Sequence, residues 1–280
     1  MPNFYTLFRC ITFTLILGGG ACSSNPRELG RSNSDPQGLG LPQSLTMITT
    51  PNYCPYEFIG AEGEPVGFDI ALAEALATEL GYGDANGRSF QIQTTQHFNS
   101  IMPQLVQQDI DFAMAAITPT RARQRIVDFS EIYYVQKIAL VSRYDQPFTN
   151  LGTLVGKQVG ITADSAHADR LSQYSSIDLI NQFDNTKALI EAIKRRYVDA
   201  GVIDAAIAPK YVSPSSRLQV HPVEPLSETA GVAIAFPPGS PLISQFNRAL
   251  ATLREQGTIQ QLIYDWFDDY QCPNQEDGGS

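Results

Sequence analysis

Short apolar runs alternate with helical patterns from Leu45 onward, and this alternation sets the fold class. SLTMITT has the composition of a β-strand, and DIALAEALATELG repeats leucine every four residues up to Gly81, as one face of a helix does. SFQIQTT is a second strand, NSIMPQLVQQD a helix that Asn99 can cap, and DFAMAAI a buried strand. Strands that alternate with helices are typical of βαβ units. The sequence therefore predicts an α/β fold with a mostly parallel sheet.

A second series of the same kind follows GKQVGIT. It contains a helix from His167 to Tyr174, the strands IDLINQF and AGVID, and the helix NTKALIEAIKRRYVD between them. Late in the chain AGVAIAF is a strand, and PLISQFNRALATLREQG is a helix that ends at Gly257. A chain of 280 residues with this content forms one or two globular domains.

The charge balance excludes one class of partner. Lys and Arg number 19 against 29 Asp and Glu, which gives a formal net charge of -10. A broad nucleic-acid surface needs Lys and Arg clustered over a whole face, and the sequence offers no such face. His97, His167 and His221 are scattered without ligand spacing. We therefore expect no nucleic acid, no metal and no cofactor.

The N-terminal segment has the pattern of an export signal. Residues 1–21 contain Arg9, the apolar run CITFTLIL and small residues before Cys22, and the run is too short to span a bilayer. Cys22 resembles the acylated cysteine of a bacterial lipoprotein, although Gly19 stands where leucine is usual; an ordinary cleaved signal is the alternative. Residues 22–43 are rich in Ser, Gly and Pro, which predicts a flexible, lipid-anchored linker. We expect a domain in the periplasm or on the outside of the cytoplasmic membrane, attached through lipid.

Two further cysteines lie in the body of the chain. Cys54 and Cys272 can pair in an oxidising compartment, but the sequence leaves open whether they meet. Residues 271–280 show no pattern of folded structure and are predicted to be a disordered tail.

Three arginines lie within five positions of the segment AAITPTRARQRIVDFS. Thr118 precedes Pro119, which is typical of a helix N-cap followed by proline at the first helical position. In open α/β folds such a helix start lies at the carboxyl edge of the sheet, where ligands bind. Arg123 can reach back toward it, because helical side chains lean toward the N-terminus. We therefore predict that Thr118 and Arg123 together hold one carboxylate.

Five segments resemble the polar amino-acid family of ABC-transporter solute-binding proteins. They are PNYCPYEFIGAEGEPVGFDIALAEALATELG, AAITPTRARQRIVDFSEIYYVQ, LVGKQVGI, RYVDAGVID and ALATLREQGTIQQLIYDWF. They occur in the family's order and at its spacing, and the resemblance covers roughly residues 44–270.

The resemblance implies roles for three polar residues. Arg123 matches the family's carboxylate-binding arginine, whose planar guanidinium suits a carboxylate, and Thr118 matches the hydroxyl residue that shares it. Asp204 matches the partner of the α-ammonium group. The alternative for Arg123 is a solvated helix residue, as we expect Arg121 and Arg125 to be. The alternative for Asp204 is a cap of the next helix.

The remaining ligand residues follow from the same match. Tyr53 and Phe98 match the two walls between which the ligand side chain lies. Ala116 is also assigned to the ligand site. In the loop ITADSAHAD, Ser165 supplies the hydroxyl of the family's usual Gly-Thr pair, whereas Asp164 departs from that pattern.

The residues around the predicted site give opposing indications of the charge of the ligand. Asp164 adds a negative charge near the mouth of the site, and Glu57 adds another on the first lobe. Thr50 stands where many relatives that bind basic amino acids carry Asp, which argues against a cationic ligand. On balance the residues favour a neutral polar or basic amino acid over an acidic one.

The family's architecture is a two-lobed periplasmic-binding-protein-like fold of type II. Each lobe is a mostly parallel sheet flanked by helices, and two strands form the hinge. The resemblance places residues 44–134 and 230–270 in lobe 1 and 135–229 in lobe 2. It implies a monomeric binding protein, not an enzyme, that closes around a free amino acid and delivers it to the permease subunits of an ABC importer.

Two alternatives remain at this stage. The same scaffold hosts cyclohexadienyl or arogenate-type dehydratases, and ADSAHAD contains Ser165, His167 and carboxylates, but without the spacing of a nucleophile elbow. A hydrolase based on His167 is excluded if that residue lies outside the cleft. The other alternative is a ligand-sensing ectodomain, which needs a separate partner for its output.

Overall fold

The computed structural model describes residues 41–107, 110–163, 165–171, 176–223, 231–270 and 272. The strands are β1 (Ser44–Thr49), β2 (Asn52–Tyr53), β3 (Glu57–Ile59), β4 (Pro65–Val66), β5 (Ser89–Thr94), β6 (Phe112–Ala113), β7 (Asp128–Val135), β8 (Ile138–Arg143), β9 (Gln158–Thr162), β10 (Asp178–Phe183), β11 (Ala200–Asp204), β12 (Leu218–Val223) and β13 (Gly231–Phe236). The α-helices are α1 (Phe68–Glu79), α2 (Ile101–Gln107), α3 (His167–Leu171), α4 (Thr186–Lys194), α5 (Ala208–Tyr211), α6 (Ile243–Glu255) and α7 (Thr258–Ile263). The predicted signal peptide 1–21, Cys22 and the linker up to residue 40 lie outside these ranges.

Two five-stranded sheets dominate the structure. In sheet 1 the order is β5-β1-β6-β13-β7, and only β13 runs against its neighbours. In sheet 2 the order is β10-β9-β11-β8-β12, and only β8 runs against its neighbours. The other strands of each sheet point the same way, so both sheets are mostly parallel, as the sequence predicts.

The chain passes from sheet 1 to sheet 2 and back. β7 ends at Val135 and β8 begins at Ile138, so Gln136 and Lys137 form the first crossing. All five strands of sheet 2 come before β13 returns the chain to sheet 1. The return passes through residues 224–230, which lie outside the described residues. We call sheet 1 with β2, β3, β4, α1, α2, α6 and α7 lobe 1, and sheet 2 with α3, α4 and α5 lobe 2.

Both faces of each sheet are buried. In lobe 1, Leu45 and Met47 of β1 pack on the face covered by α1 and α6, while Ile48 packs on the face covered by α2. In lobe 2, Leu140 and Val141 of β8 contribute to cores on opposite faces. Strands buried on both faces are apolar throughout, which explains why runs such as DFAMAAI and AGVAIAF show no alternation. Among the described residues, no helix is long and apolar enough to cross a membrane.

The start of the helix predicted from Asn99 differs from the prediction. The helix predicted from Asn99 begins as a 3-10 turn, Phe98–Ser100, that continues into α2. The residue before this turn is His97, and Asn99 does not cap the helix. Instead the hydroxyl of Ser100 donates to the carbonyl of His97 at 2.6 Å, because a serine inside the first turn can reach back to the backbone.

The segment around Ala116 also departs from prediction. Only Phe112–Ala113 of the predicted strand pair as β6, and Ala116 has φ 47°, in the left-handed region. The N–H of Ala116 donates to Oδ2 of Asp69 at 2.7 Å, which holds this turn. The α-helix predicted after Thr118 is wrong, because residues 118–120 have no regular secondary structure and residues 121–122 form a turn that leads into a 3-10 turn, Arg123–Arg125.

A small antiparallel sheet of β2, β3 and β4 lies beside α1. Gly67, just before α1, has φ 128°, and a Cβ there would lie 2.4 Å from the carbonyl oxygen of Tyr56, so only glycine fits. Next to β2, Cys54 forms a disulfide with Cys272, with an S–S distance of 2.02 Å. The pairing that the sequence left open therefore forms. It attaches Cys272 of the predicted tail to lobe 1, while residues 271 and 273–280 lie outside the described residues.

Candidate functional site

A cleft of about 500 Å³ lies between the two lobes. Lobe 1 contributes the residues that follow β1, the turn at Phe98 and the segment from Ala115 to Arg123. Lobe 2 contributes the segments that follow β9, β10 and β11. These are the carboxyl ends of parallel strands, where open α/β sheets present ligand sites.

The sequence-predicted ligand residues meet at this cleft. Asp164 lies outside the described residues, and the other predicted residues all line the cleft: Tyr53, Glu57, Phe98, Ala116, Thr118, Arg123, Ser165 and Asp204. Arg121 and Arg125, expected to be solvated, are exposed.

Arg123 is oriented along the wall of lobe 1 by two contacts. Its Nη1 donates to the carbonyl oxygen of Thr118 at 2.9 Å, and its guanidinium carbon lies 4.9 Å from the centre of the Phe98 ring. The carbonyl fixes one edge of the guanidinium, and the ring supports its face. A planar guanidinium held in this way is suited to a carboxylate, which it can bind with two parallel hydrogen bonds.

Asp204 lies at the end of β11, where the lobes meet. Its Oδ2 accepts hydrogen bonds from the Tyr53 hydroxyl at 2.5 Å and from Gln136 Nε2 at 3.3 Å, and its Oδ1 lies 3.7 Å from His167 Nε2. Tyr53 belongs to lobe 1, Gln136 to the first crossing and His167 to lobe 2. Asp204 precedes a 3-10 turn, Ala205–Ile207, and its side chain does not cap it. The carboxylate faces the cleft instead.

Sequence reasoning missed Gln136 and treated His167 only as a catalytic candidate. Gln136 is 3% exposed and also accepts a hydrogen bond from the Thr118 hydroxyl at 3.4 Å. Thr118 therefore faces the crossing rather than capping a helix. No sequence signal marks a single glutamine between two strands, since its burial depends on both lobes.

Glu57 and Asp69 form a buried carboxyl pair, of which Glu57 lines the cleft. Glu57 is 1% exposed; burial raises the pKa of Glu57 well above its ordinary value, and the adjacent Asp69 raises it further. Burial also raises the pKa of Asp69, to about 6, although hydrogen bonds from Ala116, Tyr133 and Glu57 lower it. Both shifts favour the neutral form of a carboxyl, because the two groups are buried next to each other. The negative charge expected on Glu57 stays a prediction.

The loop of Ser165 and His167 does not form a nucleophile and base. The Ser165 hydroxyl donates to the carbonyl of Thr162 at 2.8 Å, whereas His167 lines the cleft with its Nε2 toward Asp204. Within the described ranges, no group of three or more His, Cys, Asp or Glu residues is placed to hold a metal ion.

Comparisons with known proteins agree with this geometry. The family model for bacterial extracellular solute-binding proteins, family 3, matches residues 45–269. The arginine-binding extracellular protein ArtP of Bacillus subtilis (strain 168) is 32% identical over 262 residues, which cover 92% of this chain and 94% of ArtP.

Two solved structures are similar over most of their length. An ancestral arginine-binding protein bound to arginine has a TM-score of 0.66 at 29% identity, covering 81% of this chain and 99% of that one. The structure of an ancestral arginine-binding protein bound to glutamine has a TM-score of 0.67 at 28% identity, covering 82% and 100%. The two-lobed α/β fold implied by the resemblance is thereby confirmed. The chain belongs to family 3 of the bacterial extracellular solute-binding proteins.

Proposed function

We propose that this chain captures a basic amino acid, with L-arginine as the first candidate, and delivers it to the permease of an ABC importer. In this proposal it acts as a monomer outside the cytoplasmic membrane, anchored through Cys22. The observation that carries the proposal is that Arg123 and Asp204 line one cleft from opposite lobes. A cation on one wall and an anion on the other match the carboxylate and ammonium of an amino acid.

The two lobes have different tasks in this proposal. Arg123 and Thr118 bind the α-carboxylate on lobe 1, and Asp204 binds the α-ammonium from lobe 2. A ligand held by both lobes binds the closed form better than the open form, and this difference in affinity shifts the equilibrium toward closure. Gln136 lies in the crossing and contacts both Thr118 and Asp204. It therefore connects the residues that we assign to the two ends of the ligand.

The side-chain end of the site favours a cation. Glu57 lines the cleft. A guanidinium provides donors for its carboxyl group, and the rings of Tyr53 and Phe98 provide faces for its planar group. Glu57 also supplies the carboxyl group that is missing at Thr50. The printed names of the relatives, arginine-binding in each case, support the same choice, with glutamine as the neutral second candidate.

A thermal-shift panel of the standard amino acids, ornithine and citrulline tests the proposed ligand. We expect arginine to give the largest rise in unfolding temperature, followed by lysine and ornithine, and acidic amino acids to give none. At about 100 times its dissociation constant, a ligand stabilises the folded state by about 2.7 kcal/mol. A response to acidic amino acids alone, or to none of the panel, contradicts the proposal.

We propose that the chain is not an enzyme. His167 does line the cleft, so its position alone does not exclude the dehydratase alternative. The hydroxyl of Ser165 donates to a backbone carbonyl rather than to His167, and the relatives named above are binding proteins. Turnover of a prephenate-like acid by the purified chain would reverse this conclusion.

A further inference from the structure

We infer that the binding of arginine releases one proton from the Glu57–Asp69 pair, so that this pair distinguishes a cationic side chain from a neutral one. The inference rests on the proposed function and extends it, because it makes two carboxyl groups responsible for the discrimination between charged and neutral ligands. It requires a pair that holds one proton before binding, an oxygen of that pair in the cleft, and no other group that takes up the same proton.

The contacts of Asp69 show that the pair holds a proton. Oδ2 of Asp69 accepts the N–H of Ala116 at 2.7 Å, and Oδ1 accepts the hydroxyl of Tyr133 at 2.8 Å. Asp69 is also hydrogen-bonded to the carboxyl of Glu57. Two ionised carboxylates cannot make such a bond, because neither has a hydrogen to donate. Asp69 is therefore the fixed acceptor, and Glu57 carries the proton.

Glu57 is the member of the pair that a ligand meets first. Glu57 lines the cleft, whereas Asp69 is fully buried and is not among the cleft-lining residues. A guanidinium in the cleft therefore lies closer to the carboxyl of Glu57 than to that of Asp69. The ligand therefore acts first on the group that carries the proton.

Among the described residues, the titratable groups placed against the pair are tyrosines. Tyr133 of β7 bonds Asp69, while Tyr53 of β2 and Tyr56 interact with Glu57 and Asp69, respectively. Burial raises the pKa of each of these hydroxyls well above its ordinary value, so all three stay neutral near pH 7. These hydroxyls neither take up nor release the proton, and in this inference the proton passes to solvent.

The exchange of the proton for a guanidinium leaves the net charge of this part of the site unchanged. The protonated pair carries one negative charge. When the guanidinium enters and the proton leaves, the pair carries two, and the guanidinium offsets one. A cation within about 4 to 6 Å lowers the pKa of a carboxyl by about 1 to 3, which favours this release. A neutral side chain brings no such charge, so with it the proton stays on Glu57.

Calorimetric titration of the full chain with arginine at about pH 7, in buffers of different ionisation enthalpy, measures the protons released. We expect about one proton per bound arginine, an affinity that rises with pH, and no release with citrulline, which replaces the guanidinium by a neutral group. The variant Glu57→Gln keeps the shape of the side chain and a donor for Asp69, and we expect it to bind arginine more weakly without proton release. The control Glu62→Gln removes an exposed carboxylate of lobe 1. We expect it to release as many protons per bound arginine as wild type does.

The outcomes separate this inference from the proposed function. Arginine that binds wild type with a heat independent of buffer overturns the inference and leaves the proposed function standing. Equal proton release by wild type and Glu57→Gln also overturns it, because the proton then comes from another group. Failure of arginine to bind wild type overturns the proposed function and this inference together. If Glu57→Gln does not fold, wild type decides through its two ligands: release with arginine and none with citrulline supports the inference, and equal release with both overturns it.

Discussion

Replacing Arg123 by alanine is expected to lower the affinity for arginine about 100-fold, or about 2.8 kcal/mol. The guanidinium is the charged group on lobe 1 that we assign to the ligand carboxylate, and a buried charge pair that loses one partner leaves the other uncompensated. Its contacts with Thr118 and the Phe98 ring place it on the wall of the cleft rather than in the core. We therefore expect the variant to fold. Calorimetry with arginine measures the loss, and thermal unfolding without ligand checks the fold.

Arg121→Ala is the matched control for this prediction. Arg121 lies two positions earlier in the same segment, is exposed, and carries the same charge. We expect its removal to change the affinity by less than about threefold, because an exposed charge is screened by solvent. Equal losses in the two variants would mean that general electrostatic attraction, and not a site at Arg123, governs binding.

Removal of the Cys54–Cys272 disulfide is expected to lower the free energy of unfolding by about 3 to 5 kcal/mol. The two cysteines are 218 positions apart, and a cross-link over so long a loop removes much of the freedom of the unfolded chain. The double variant Cys54→Ser, Cys272→Ser tests this by chemical denaturation. The two proteins differ at no other position, so the comparison isolates this pair.

The same disulfide also holds the binding loop. Cys54 is adjacent to Tyr53, and the C-terminal segment that carries Cys272 packs Trp266 against Phe58 with ring centres 6.0 Å apart. We expect the double variant to bind arginine several-fold more weakly as well. A reducing agent should destabilise wild type by a similar amount and leave the double variant unchanged. A double variant with the wild-type unfolding midpoint would contradict the prediction.

Strands such as β1 and β13 are predictable from sequence, whereas the prediction does not include β7, β8 and β12. β1, β9 and β13 are apolar because both faces of their sheets are covered, so a local run of residues is enough to identify them. β7 and β12 lie at the edges of sheets 1 and 2 and bury few side chains. Their apolar patterns are correspondingly weak. The order of the strands depends on pairings between distant segments, such as β13 with β7, and follows here only from the resemblance to a family.

In the site too, some features follow from local sequence and others depend on contacts between distant segments. The helix predicted at Thr118 rests on a local capping pattern, and it fails because Asp69 of α1 holds Ala116 in a left-handed turn just before it. Periodicity alone does not bring Arg123 and Asp204 together; the register of the family does. The raised pKa values of Glu57 and Asp69 depend on two elements packed together in a buried environment. Neither residue shows this in sequence.

The claim that one amino acid is held at its two ends by opposite lobes can be measured with two analogues of arginine. Agmatine lacks the carboxylate, and the deamino analogue lacks the ammonium. We expect wild type to bind both about 100-fold more weakly than arginine. Arg123→Ala should lose the preference for arginine over agmatine and keep its preference over the deamino analogue, and Asp204→Asn should show the reverse. If each variant lost both preferences equally, or kept both, Arg123 and Asp204 would not bind opposite ends of the ligand.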